Sequence, residues 1–314
     1  MNKIRIEAPA RLHWGMFDLG GSLGRRFGGI GATIGQPSVI LEAEIAPTLT
    51  AEGPAADRVV AFADRYLHAN QITTGAHFRV EQTIPAHVGL GSGTKLGMAV
   101  AQALATLYDL SDDPYLLAQA VGRGSRSAIG LWTFAQGGFV VEGGQWPEQN
   151  TPAPLLLRQA MPADWHCVLA IPETSSGLSG DEEAKAFAQL GGMREQAAAI
   201  SHLVLMSLLP ALVEGELAEF GAALTQMQRL VGECFSPVQG GHFANDSSAR
   251  LIELMLAKGA AGAGQSSWGP AVYGLVGDLA DGQRLAAQVA DFLDGQGSVA
   301  VVPFDNRGVT IQNL

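Results

Sequence analysis

The sequence predicts an α+β fold, and three observations lead there. Strand-like and helix-like patterns are mixed without the regular alternation that a parallel α/β sheet imposes. Several strand candidates lie close enough in sequence to form hairpins, among them Ala260–Val276 and the pair Ser298–Pro303 and Val309–Ile311. Residues are 47% hydrophobic and only 16% charged over 314 positions, so the chain can bury a large core and is not disordered.

Taken in order, Lys3–Ala8 alternates charged and apolar residues as a half-buried strand does, and Pro9–Met16 continues it. The glycine-dense stretch Gly20–Gly35 reads as a loop. Val39–Ile45 and the residues from Leu49 read as strands, and Asp57–Asn70 as a helix with Val60, Phe62 and Leu67 inward. Ala76–Ile84 is strand-like, Pro85–Lys95 a glycine-rich turn, and Leu96–Leu107 a helix. A further helix starts near Asp112–Pro114, where acidic residues and an early proline suit a helix start, and ends at Gly122–Gly124. Phe139–Val141 is a short strand, and the proline-bearing stretch Gln145–Pro154 is a loop and the nearest thing to a boundary. The division expected is 1–160 and 161–314. In the second half, Trp165–Ile171 is a strand, followed by helices at Asp181–Gln189, Met193–Leu209, Gly215–Leu230, Asn245–Lys258 and Asp281–Leu293.

A net charge of −11 argues against general nucleic-acid binding. An anion would have to be held by locally clustered Arg, Lys and backbone N–H groups. Cys167 and Cys234 have neither disulfide nor metal-ligand spacing. Met1-Asn2-Lys3 leads straight into a strand with no signal-peptide pattern, and the apolar run Val204–Val213 is too short for a membrane helix and contains Pro210, so a cytoplasmic protein without a membrane partner is expected.

The chemistry is organised around Pro85-Ala86-His87-Val88-Gly89-Leu90-Gly91-Ser92-Gly93-Thr94-Lys95, where a strand gives way to a helix N-terminus. Exposed N–H groups and the positive end of the helix dipole suit a phosphate or pyrophosphate, glycine lets backbone approach it, and Lys95 would add a mobile charge. A plain turn with Thr94 as cap is the alternative. The spacing is neither that of a Walker A loop nor that of a dinucleotide-binding Gly-x-Gly-x-x-Gly. Arg11 and His13, two apart on a strand, leave the same face and could reach an anion or form a solvated face. Arg25 and Arg26 lie in the glycine-dense loop; Arg123 and Arg126 flank Ser125 near a helix end, where cations also complement the dipole. Gln265, Ser266 and Ser267 are consecutive polar donors between glycines. Asp181–Glu183 read as helix-start capping, Glu173 as a weaker acid–base or Mg²⁺ candidate, and His242 as a lone loop histidine.

The run Pro-x-x-x-Gly-Leu-Gly-Ser resembles the phosphate-binding motif of the GHMP kinase superfamily, and Gly-Ser-Gly-Thr-Lys resembles the β-ribofuranosylaminobenzene 5′-phosphate synthase branch of it. Pro9–Gly15, Leu19–Gly31, Gly122–Gly144 and Gly262–Pro270 are similar to the same branch. The resemblance covers nearly the whole chain. It implies a ribosomal-protein-S5-like N-terminal domain and a ferredoxin-like C-terminal domain with a cleft between them. It also implies condensation of phosphoribosyl pyrophosphate with 4-hydroxybenzoate or 4-aminobenzoate, releasing CO₂ and pyrophosphate, with Mg²⁺ and as a homodimer. On this resemblance Arg11, His13 and Lys95 are the catalytic candidates; Arg25, Gly89, Gly91, Ser92, Gly93, Thr94, Arg123, Arg126, Gln265, Ser266 and Ser267 bind substrate, and the metal ligands are unassigned. The kinases of the superfamily carry an aspartate as base where this chain has Trp132. That departure counts against the alternative of an ATP-dependent small-molecule kinase. A non-catalytic anion-binding regulator is the third reading.

Overall fold

The computed structural model describes residues 3–149, 151–174, 177, 180–191 and 193–314, without the side chains of 180–184. The capping role expected of Asp181–Glu183 lies outside the described residues. The chain builds two antiparallel-dominated sheets with helices packed between and around them, as an α+β fold requires.

The first sheet begins with a long hairpin, β1 (Lys3–Asp18) against β2 (Phe27–Ala46). β2 starts well inside the stretch expected to be a loop. Its glycines are a packing requirement: a Cβ at Gly29 would lie 2.4 Å from the Gly15 carbonyl oxygen, and one at Gly31 2.4 Å from that of Leu12. The second half of β2 pairs with β4 (Gly75–Gln82), which also carries the short β3 (Thr50–Glu52). Its first half pairs with β5 (Phe139–Glu142), and β5 with β6 (Leu155–Gln159). The register slips between Pro9 and Arg11 and between His13 and Gly15, so two bulges bracket the segment Arg11–His13. Bulges re-aim side chains locally.

Over this sheet lie α1 (Ala56–Ala69) and α2 (Ser92–Leu107), then the short α3 (Pro114–Ala120) and α4 (Ile129–Ala135). Asp113 caps α3 by accepting from the N–H groups of Tyr115 and Leu116, with Pro114 in the first turn. α2 is the buried axis: Lys95 to Ala105 are all buried, which alanines and glycines at its contacts allow.

The second sheet has the order β10 (Gly297–Pro303), β7 (His166–Pro172), β9 (Val272–Val276), β8 (Gly262–Gln265). After β7 come α5 (Gly180–Gln189), α6 (Arg194–Leu203), a π-helical turn Val204–Leu208, and α7 (Leu209–Glu214). The π turn delivers Pro210 to the first turn of α7, where its missing N–H is harmless, so the helix continues through the proline. Arg194–Glu214 is therefore a helix long and apolar enough to cross a membrane by length and composition, contrary to the expectation from its sequence. It packs against α8 (Leu217–Gln239) and β1. α9 (Asp246–Ala257) and α10 (Leu279–Leu293) cover the second sheet, capped by Asn245 and Asp278.

Two features lock the sheets together. α8 touches both β8 and β1. Trp14, fully buried, packs its ring 5.7–6.2 Å from those of Phe139, Phe220, Tyr273 and Phe304, drawn from both halves. Finally β11 (Thr310–Asn313) returns to the first sheet and pairs with β1.

Candidate active site

The N-terminus of α2 is shaped as an anion cradle. Gly91 precedes the helix at φ +81° and no side chain caps it. Lys95 N–H is the first to find the helical partner Gly91, so the N–H groups of Ser92, Gly93 and Thr94 have no intrahelical acceptor. Three guanidiniums surround this end. A side chain on Gly93 would come within 3.3 Å of Arg123 and 3.4 Å of Arg58, and one on Gly91 within 3.1 Å of Arg11. Donors and dipole converge on one small volume, as a phosphate needs. Arg58, on α1, is a member that the sequence did not single out.

Gly89 joins this cradle to the loop after β8. Its carbonyl accepts from Arg11 Nη1 at 2.5 Å and from the Ser266 hydroxyl at 2.7 Å. The Ser266 hydroxyl in turn accepts from His13 N–H at 3.0 Å, and Ser267 N–H donates to the His13 carbonyl. Gly89 sits at φ +86°, and a Cβ there would be 2.1 Å from the Ser266 carbonyl oxygen, so only glycine permits the junction. Three distant stretches thus meet. Gln265 and Ser266 do internal work: the Gln265 side chain accepts from Ala244 N–H and donates to the Ser267 carbonyl, its backbone N–H donates to Gln228 Oε1, and Ser266 bridges β1 to the cradle. Expected as ligand donors, both have their side chains turned to protein partners.

Lys95 differs from its expectation more sharply. It is not a mobile charge at the rim, because the fourth helical position turns inward; its side chain is fully buried and gives its ammonium to Thr133 Oγ1 at 3.0 Å, with the Phe134 ring 5.9 Å away. Burial, aided by Arg11, holds its pKa well below the lysine range.

His13 is also buried, and burial together with the Arg11 charge lowers its pKa to about 3. It does not titrate near neutrality as its residue type suggests; the imidazole is neutral at physiological pH. Its Nε2 lies 3.1 Å from Ser127 Oγ, and Ser127 donates to Glu142 Oε1 at 2.8 Å. Glu142 ends β5, is fully buried, and accepts the Ala128 N–H at the start of α4. Burial raises its pKa to about 7 against those two hydrogen bonds. Neither Ser127 nor Glu142 was singled out from sequence. The available signal was a carboxylate closing the apolar run Phe139–Val141.

Two cavities adjoin this chain of residues. On the His13 side a cavity of about 40 Å³ is lined by Phe187, Phe235 and Trp268, with Ser267 and His242 at its wall. On the Glu142 side a wider one of about 600 Å³ is lined by Arg25, Arg26, Asp18, Trp146 and Arg194. Arg25 gives Nη1 to the Gly144 carbonyl and stacks over Trp146; Arg25 thus sits with Glu142 rather than against the α2 cradle. Arg126 lies over the Phe187 ring. Trp132 is a core residue, donating to the Ala153 carbonyl and packed edge-on against Tyr115, so no carboxylate occupies that place. Glu173 is exposed, and among the described residues no group of three Asp, Glu, His or Cys side chains could hold a metal ion.

Comparison with known proteins gives two family matches: "GHMP kinases N terminal domain" over residues 56–137 and "GHMP kinases C terminal" over 208–295. The chain is 33% identical to the β-ribofuranosylphenol 5′-phosphate synthase of Methanothermobacter thermautotrophicus, across 98% of each chain. It is 33% identical to the synthase of the same name from Archaeoglobus fulgidus, across 98% of this chain and 99% of that one. Among solved structures, a homoserine kinase from Cytophaga hutchinsonii superposes with a TM-score of 0.75 at 17% identity, covering 99% of this chain and 98% of that one. An L. major mevalonate kinase solved with R-mevalonate gives 0.73 at 14% identity, covering 96% and 95%. These two kinases share the fold.

Proposed function

Because the chain belongs to the GHMP kinase superfamily and, within it, to the β-ribofuranosylphenol 5′-phosphate synthase family, we propose that it condenses phosphoribosyl pyrophosphate with 4-hydroxybenzoate, releasing CO₂ and pyrophosphate. The observation that carries the reading is the junction at Gly89, which sets an anion cradle beside an aromatic-walled cavity with Ser266 and His13 between them.

The pyrophosphate takes the α2 N-terminus, where the N–H groups of residues 92–94, Arg11, Arg58 and Arg123 stabilise the charge that develops as the C1–O bond breaks. The aromatic acid is assigned to the side walled by Phe187, Phe235 and Trp268, whose rings, now packed edge-on around about 40 Å³, part to admit it. The ring carbon bearing the carboxylate attacks the oxocarbenium-like C1, and loss of CO₂ restores aromaticity. Arg25 and Arg26 are assigned to the 5′-phosphate. Mg²⁺ would arrive with the pyrophosphate and supply positive charge to the leaving group, since among the described residues no group of three Asp, Glu, His or Cys side chains could hold it. The kinase reading is disfavoured by buried Trp132.

The test is direct: purified protein with phosphoribosyl pyrophosphate, 4-hydroxybenzoate and Mg²⁺, followed by CO₂ release, beside an ATP-consumption control. Expected are stoichiometric CO₂ and pyrophosphate with no ADP. Substrate-stimulated ADP formation without CO₂ would replace this reading by the kinase one.

A further inference from the structure

Ser127 has one hydroxyl proton, and it is committed to Glu142. With Glu142 ionised, its oxygen accepts from His13 as well as from the Ile129 N–H, so in that state Nε2 carries the imidazole proton and Nδ1 keeps its lone pair. The tautomer of the histidine beside the aromatic cavity is therefore set by a carboxylate two hydrogen bonds away. We propose that Glu142 and Ser127 are positioning residues that, through His13, borrow the phenolic proton of the aromatic substrate during C–C bond formation and return it on decarboxylation. The inference rests on the reaction proposed above.

The steps balance. As the C1–O bond breaks, its electron pair leaves with pyrophosphate. The ring pair forms the C–C bond while the phenolic proton moves to His13 Nδ1, the Nε2 proton to Ser127 Oγ, and the hydroxyl proton to Glu142. The C–CO₂ pair then restores the ring, and all three protons step back. No acid or base is consumed.

When Glu142 is protonated the direction reverses: Ser127 donates to Nε2, and Nδ1 becomes a donor unable to take a proton. Turnover should fall as pH drops through the Glu142 value of about 7, while the imidazole, at about 3, contributes no limb in that range. The other titratable or charged groups facing this line are Arg25, Arg26 and Asp18 from the β1–β2 turn, Arg194 from α6, Arg126 beside Ser127, and Arg11 and His242 on the His13 side.

The experiment measures CO₂ release against pH from 5.5 to 9 for wild type, Glu142→Gln, Ser127→Ala and Ser127→Thr. Expected is a wild-type limb near pH 7 that Glu142→Gln and Ser127→Ala abolish, with kcat lowered on the order of a hundredfold, KM for phosphoribosyl pyrophosphate little changed, and Ser127→Thr near wild type. Glutamine keeps the shape of the α4 contact. Should Glu142→Gln not fold, Ser127→Ala decides, because Glu142 then still accepts the Ala128 N–H. If wild type turns over and these variants keep its limb, the relay is overturned whatever their rate, and the reaction stands. If wild type releases no CO₂, the reaction itself fails and the relay with it.

Discussion

Lys95 gives its ammonium to a threonine hydroxyl rather than to a carboxylate, inside a core that would accept a thioether of the same length. An amine buried in this way, its pKa pushed down by that burial, is a cost that an apolar side chain avoids. Lys95→Met should hold or raise the urea midpoint, whereas Lys95→Ala leaves a void and should lose about 2–5 kcal/mol, as other long buried chains do. Equal losses in both would show that the ammonium itself supports the core. Glu142 and His13 make opposite contributions with pH. Folding raises Glu142 from 4.5 to about 7, so its contribution is complete below 4.5 and is lost as pH climbs through 7, about 3 kcal/mol in all. Folding lowers His13 from 6.5 to about 3, so its contribution is complete above 6.5 and is lost as pH falls toward 3. Between pH 4.5 and 6.5 the two slopes cancel. Melts of Glu142→Gln against wild type should therefore show a stability difference that grows in favour of the variant from pH 4.5 to 8.

At the scale of elements, the start of α2 does two separable jobs. Gly89→Ala forces a Cβ into the Ser266 carbonyl at positive φ, and should cost about 2–5 kcal/mol in a denaturant melt. Gly93→Ala meets only the flexible tips of Arg58 and Arg123, so stability should hold. The methyl fills the space between guanidiniums and N–H groups, however, and phosphoribosyl pyrophosphate affinity by calorimetry should drop on the order of tenfold. Unchanged affinity would remove the cradle from this helix end. Arg11→Lys keeps a charge but cannot both reach the Gly89 carbonyl and present a fork, and should slow turnover on the order of a hundredfold. The strand–glycine–helix order was legible because period and turn chemistry are local. Arg58 was not, since on α1 it is one polar residue of an amphipathic helix until folding brings α2 beside it. Ser127 and Glu142 were hidden for the same reason: α4 and β5 meet only in three dimensions. Glycines 28–35 misled because crowding between strands calls for the same residue as a turn.

Across the whole molecule, the α+β class followed from residues that carry their own geometry, whereas a cleft joining the Gly89 and Ser266 loops was implied only by the family resemblance. The strand at Val309–Ile311 was legible but its partner was not. β10 and β11 form no hairpin, since β10 pairs with β7 and β11 returns to β1, and four exposed or half-exposed residues pattern no face that would choose between them. β11 nonetheless closes the outer edge of β1, with Ile4 opposite Asn313 and Glu7 opposite Thr310. Ending the chain at Phe304 removes that strand, together with the Gly138 N–H bond to Asp305, and bares a long edge. Soluble yield should collapse, and any soluble fraction should melt below the full chain. On a ribosome the same pairing becomes a delay. β1 emerges roughly 300 residues before β11, so it waits about 15–60 s for its partner at ordinary elongation rates. Throughout that interval the nascent chain carries an unmatched row of donors and acceptors, and whatever shields it then, a chaperone or the ribosome surface, belongs to how this protein is made.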